Sequence, residues 1–206
     1  RATTTITTMA KAARPAIPSR PSPASTRFVL DEVKINYETV RHKDVLKKDF
    51  QKKYDAIIFV GASKTQIESG KPPKRWERWF RPLPPEYTGG IGKKGKKVLE
   101  EFIKAGKILI FMGRSCEYAV DHFKLPVENI IKDSTKLVCP GSYLNVNVKA
   151  TELTFGMRQN AAVYYSRDPV FRTSLPRTVS KKRRSHVTFG MRDFLLSGLL
   201  ENGEIL

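Results

Sequence analysis

Two short apolar runs, each closed by a glycine, constrain this chain more than any other feature. Ala56-Ile57-Ile58-Phe59-Val60 ends at Gly61, and Ile108-Leu109-Ile110-Phe111-Met112 ends at Gly113. Five consecutive apolar residues make a strand-sized run, and the lack of alternation implies cover on both faces, as in a parallel sheet. Between them lies an amphipathic segment with Val98, Leu99, Phe102 and Ile103 on one stripe and Lys93, Lys94, Lys96 and Lys97 on the other. Its spacing predicts a helix stopped by Gly106. A further helix is predicted from about 115 to 123. Strand, helix, strand, helix in this order predicts an α/β fold: a doubly wound, flavodoxin-like parallel sheet with helices on both faces.

The flanking pattern extends this reading. Ser25 or Thr26 is placed to cap a short helix carrying Phe28, Val29, Leu30 and Val33, followed by a strand over 35–40 and a helix over about 43–52. Residues 61–90 are read as one long connection. Shorter strands are predicted at 136–139, at 142–148, where Leu144, Val146 and Val148 alternate, and within 161–171. The pentapeptide Thr-Phe-Gly-Met-Arg occurs at 154–158 and again at 188–192, without matching flanks, and is not read as a repeat.

Residues 1–25 are rich in Thr, Ala, Pro, Ser and Arg, with no acidic residue and almost no large apolar one. Such a segment is expected to be a disordered basic leader, and it has the composition of a mitochondrial or chloroplast transit peptide. Position 1 is not Met, which is read as the mark of a fragment or a processed form. The folded domain is accordingly expected over 26–206, interrupted by a basic insertion at about 172–192. No apolar stretch approaches the length needed to cross a bilayer, so no membrane span is expected.

The net charge of +18 is unevenly spread. Residues 1–27 hold five basic and no acidic residues; residues 172–192 hold seven basic residues, including Lys181, Lys182, Arg183 and Arg184, and again no acid. Such arms could neutralise phosphates, which makes nucleic acid a candidate partner. No zinc finger, RNA-binding aromatic signature or helix-turn-helix pattern accompanies them. The chain has two cysteines, Cys116 and Cys139, and three single histidines, His42, His122 and His186. This is neither a disulfide framework nor a sequence-local zinc set, so a reducing intracellular compartment is expected, with no metal and no cofactor.

Three candidate sites follow from chemistry. Cys116 lies past a buried strand and near a helix start, where the helix dipole would favour a thiolate. A nucleophile elbow would place Gly two residues before and two after it, but the residues run Gly113-Arg114-Ser115-Cys116-Glu117-Tyr118, so a small buried thiol is the competing reading. Gly89-Gly90-Ile91-Gly92 precedes a helix and could cradle an anion with backbone N–H groups, although it matches neither dinucleotide nor P-loop patterns. The loop 71–87 carries Trp76, Trp79, Phe80 and Tyr87, a set suited to a protein interface or to a satellite core.

Several of these stretches also carry a resemblance. Pro84-Pro85-Glu86-Tyr87-Thr88-Gly89-Gly90-Ile91-Gly92 is followed by Leu99-Glu100-Glu101-Phe102-Ile103-Lys104-Ala105-Gly106. Farther on come Cys139-Pro140-Gly141-Ser142, Phe155-Gly156-Met157, Ala161-Ala162-Val163-Tyr164-Tyr165 and Leu196-Ser197-Gly198. Taken in order, these resemble the glutamine-amidotransferase-like C-terminal domain of zinc carboxypeptidase-like proteins, over about 26–204. The resemblance implies a flavodoxin-type, class I glutamine-amidotransferase-like domain without the amidotransferase catalytic residues. It also implies a non-catalytic accessory role beside a neighbouring domain or protein partner, any peptidase zinc site lying outside this chain. Against the family pattern, the first strand is expected to be replaced by the leader, 172–192 to be an insertion, and the final strand and helix to be missing after 206.

Overall fold

The computed structural model describes residues 4–7, 22–72, 84–85, 88–131, 141–165, 168–173, 187–189 and 195–197. The first unit, Arg1–Leu125, is built on four parallel strands: β1 (Thr4–Thr7), β2 (Tyr37–Val40), β3 (Ala56–Val60) and β4 (Ile108–Met112), in the order β2-β1-β3-β4. This is the flavodoxin-type order, and the expected α/β fold is present. The expected leader is corrected at its start. Thr4–Thr7 is a strand pairing with both β2 and β3, in the position that 1–25 was expected to leave empty. Its Thr-Thr-Ile-Thr sequence is β-branched throughout, a composition that favours extended chain.

The predicted elements recur with shifted ends. Helix α1 (Pro23–Glu32) starts at Ser22, earlier than expected, because Ser22 and Ser25 form a reciprocal capping box behind Pro23. The single helix expected over 43–52 is two short ones, α2 (His42–Val45) and α3 (Phe50–Lys53). Val45 and Phe50 both belong to the core. Five residues on a continuous helix would set them roughly 140° apart, so the intervening turn re-aims Phe50. Within the connection 61–90 lies α4 (Lys64–Ser69), capped by Ser63 and Gln66 and ended by Gly70. Helices α5 (Gly92–Lys104) and α6 (Cys116–Phe123) complete the unit.

Alternate residues of β3 face two layers. Ile57 and Phe59 pack with Val45, Ile67, Leu99, Phe102 and Tyr118 from the later helices. Ile58 and Val60 pack with Leu30, Tyr37 and Met112 on the α1 side. Two residues of the predicted apolar stripe and run are less covered than their pattern implies. Ile103 of the α5 stripe is 41% exposed, and Ile108 of β4 is 59% exposed. β4 ends the sheet order, so no further described strand of its sheet flanks it, and of its α1-side residues Met112, not Ile108 or Ile110, packs with the patch around Leu30.

The single domain expected over 26–206 is also corrected: the chain divides after Leu125, and Pro126–Leu206 is a second unit. Its strands are antiparallel. β6 (Ser142–Val148) pairs with β7 (Asn160–Tyr165) on one edge, and with β9 (Val187–Phe189) and β10 (Leu195–Ser197) on the other. β5 (Val127–Asn129) pairs with β8 (Phe171–Thr173). The alternation read in 142–148 is real: Leu144, Val146 and Val148 are buried, while Tyr143 and Asn147 are exposed and Asn145 is half-buried. Within the expected basic insertion, Arg172 lies in β8 and Val187–Phe189 form β9. The two Thr-Phe-Gly-Met-Arg copies differ in structure. Thr154 closes a 3-10 turn (Glu152–Thr154), whereas Thr188 and Phe189 lie in β9.

Candidate functional site

In open parallel sheets the carboxyl ends of the strands are where ligands and catalytic groups gather. Here β3 runs out at Gly61, whose N–H donates to the Met112 carbonyl at 3.0 Å, and β4 runs out at Gly113. Gly113 has φ 61, in the left-handed region, and starts a 3-10 turn (Gly113–Ser115) that leads directly into α6. A nucleophile elbow is this kind of abrupt strand-to-helix turn, with the nucleophile on the strained residue. In this chain the left-handed residue is glycine and carries no side chain.

The residue that organises the turn is Ser115, which sequence reading passed over. It is fully buried. Its hydroxyl accepts the Met112 N–H at 2.9 Å, and its one proton has two carbonyl acceptors in reach, Phe59 at 2.8 Å and Met112 at 2.9 Å. Cys116, the predicted nucleophile candidate, is the first residue of α6 and is partly buried. Its thiol donates to the Phe111 carbonyl at 3.2 Å, one residue before the end of β4.

The Gly89–Gly92 stretch has a packing reason. A Cβ on Gly90 would meet the backbone of Glu68 and Ser69 at 2.3–2.4 Å, and one on Gly70 would meet the backbone of Gly89 at 2.2 Å. The Ile91 N–H donates to the Ile67 carbonyl at 2.9 Å. Glycine here lets the chain run against the end of α4. Gly92, with open space around its Cβ position, has φ 56. The N-terminus of α5 has no side-chain cap and no acidic residue in its first turn. His42 sits beside this stretch, its Nε2 3.0 Å from the Cβ position of Gly89. Burial holds its pKa below the ordinary value, reinforced by Lys43.

A second polar group, unmarked in the sequence, lies where α4, α5 and α6 meet. Tyr118 is fully buried and its ring stacks on His122 at 5.4 Å. Neither Tyr118 Oη nor His122 Nε2 has a hydrogen-bond partner among the described residues, although Nε2 lies 3.4 Å from a Glu100 oxygen. Lys96 pairs with Glu68 at 2.6 Å and sits 5.9 Å over the Tyr118 ring. Burial pushes the Tyr118 hydroxyl pKa far up, and burial pushes that of His122 down against the pull of Glu100. The i, i+4 spacing of Tyr118 and His122 on a predicted helix was the only available signal.

Trp76, Trp79, Phe80 and Tyr87 lie outside the described residues, as do Lys181, Lys182, Arg183, Arg184, Cys139 and His186. Among the described residues no group of His, Cys, Asp and Glu side chains could hold a metal ion. No described helix is long and apolar enough to cross a membrane.

No protein-family model and no curated protein matches the chain. Among solved structures it is similar to a glutamine amidotransferase from Thermotoga maritima, at 9% identity and a TM-score of 0.48, covering 84% of this chain and 63% of that one. It is also similar to a putative GMP synthase subunit from Thermoplasma acidophilum, at 11% identity and a TM-score of 0.46, covering 85% and 69% of the two chains. The chain thus spans less than two thirds of the length of the first of these structures.

Proposed function

We propose that this chain is a non-catalytic accessory module of glutamine-amidotransferase-like topology, which docks on a protein partner or a neighbouring domain. The observation that carries this reading is Gly113. The left-handed strand-to-helix position, where an elbow enzyme would hold its nucleophile, has no side chain there. The thiol three residues later is turned to the Phe111 carbonyl. Gly90 of the Gly89–Gly92 stretch has a packing reason that needs no phosphate, because a Cβ there would meet the backbone of Glu68 and Ser69. The resemblance to the C-terminal domain of zinc carboxypeptidase-like proteins makes a metallocarboxypeptidase-type catalytic domain the first partner to try.

Calorimetric titration of the chain with such a catalytic domain, at low and high salt, tests the reading. Saturable binding that survives high salt, together with no glutamine hydrolysis by the chain alone, is the expected result. Glutamine hydrolysis that disappears in Cys116→Ala would overturn it.

A further inference from the structure

We propose that the outward face of the β6–β7 sheet in the second unit binds single-stranded nucleic acid through Tyr143 and Tyr164. These two residues are direct cross-strand partners, with ring centroids 5.5 Å apart at 64°. They remain 50% and 44% exposed. A cross-strand aromatic pair steadies a sheet by itself, so stability alone could retain one. The rest of the face argues for more. Register places Asn145 and Asn147 on the same side of β6 as Tyr143, and Asn160 opposite Asn147 on β7. Asn147 and Asn160 are exposed and Asn145 is half-buried.

Tyrosines followed by amides along one sheet face combine stacking platforms with groups able to hydrogen-bond base edges. Tyr143 to Asn147 spans roughly 13 Å of strand, room for about two bases. An uncharged sugar chain would also suit aromatic and amide groups, and charge decides against it. The strand positions on this face carry no carboxylate, and its far end is flanked by exposed Lys149 and Arg158, with Glu152 the one described acid in the intervening loop. The bond from Val148 N–H to the Gln159 carbonyl at 2.7 Å ties those two approaches together. A chain of net charge +18 draws in polyanions before neutral ligands. This site uses none of the residues behind the accessory-module reading and stands or falls apart from it.

The test is fluorescence anisotropy of the full chain with labelled oligothymidylate and oligouridylate, across a salt series. Both strands are expected to bind. The double variant Tyr143→Ala/Tyr164→Ala should weaken binding roughly tenfold with the salt slope unchanged, and Tyr143→Phe/Tyr164→Phe should retain it, which separates stacking from folding. Lys149→Ala/Arg158→Ala should lower the salt slope by about 1 to 2. The proposal is overturned by no binding, by equal affinity for a duplex or for heparin, or by Ala variants that bind like the parent. Tyrosine-dependent binding of a neutral oligosaccharide instead of the oligonucleotides would also overturn it.

Discussion

The Ser115 hydroxyl lies 2.8 Å from the Phe59 carbonyl oxygen, joining the ends of two adjacent parallel strands through one buried side chain. The hydroxyl oxygen also accepts the Met112 N–H, so the turn after β4 is held to β3 at the point where the strand becomes a helix. Ser115→Ala removes the donor and the acceptor together and leaves two backbone groups without this partner. The expected loss is about 1–3 kcal/mol, read as a lower urea midpoint with an unchanged slope. An unchanged midpoint would show that the bridge contributes nothing.

The glycines before α5 separate a packing role from an anion-binding one. Gly90→Ala drives a Cβ into the backbone of Glu68 and Ser69 and is expected to cost on the order of 2–4 kcal/mol. Gly92→Ala meets open space and bears only the strain of its positive φ, on the order of 1–2 kcal/mol. Urea melts of the two variants give the comparison. If they lose equally, or if phosphate raises the parent's melting temperature and not that of Gly92→Ala, the packing account fails.

Tyr118 buries a hydroxyl that finds no described partner. Tyr118→Phe keeps the ring contacts with Phe59 and Phe111 and is expected to be neutral or to stabilise by up to about 1 kcal/mol. A loss above that would reveal a hydrogen bond that the hydroxyl makes in solution.

His122 gives the pH dependence. Its pKa is held below the ordinary 6.5, with burial the leading cause. The unfolded chain therefore takes up the proton first as pH falls, and stability drops progressively below about pH 6.5. Thermal melts between pH 8 and pH 5 should show this loss, reduced in His122→Gln. An identical pH profile in that variant would assign the loss to other groups.

Much of the fold was legible because burial leaves a pattern. The run ending at Gly61 and the alternation of Leu144, Val146 and Val148 each follow directly from which faces are covered, whereas the run ending at Gly113 marks its strand without being covered on both sides. What was missed depends on partners far along the chain or on weak local signals. Thr4–Thr7 is flanked by a composition that reads as unfoldable, and its place between β2 and β3 comes from tertiary pairing. Helix α4 did announce itself, through Ser63, Gln66 and Gly70, but the Pro-rich stretch after it dominated the reading of 61–90. The boundary after Leu125 was hidden because short strands look alike before their pairing is known. Ser115 was invisible as a site residue because its partner, Phe59, is 56 positions away.

The most direct test of the central claim, that the turn after β4 carries no nucleophile, is the pH dependence of Cys116 alkylation in the native Cys139→Ser variant. The account predicts slow modification near neutral pH, accelerated by denaturant. Rapid alkylation with an apparent pKa below about 7, abolished by unfolding, would mean an activated thiolate and would contradict it.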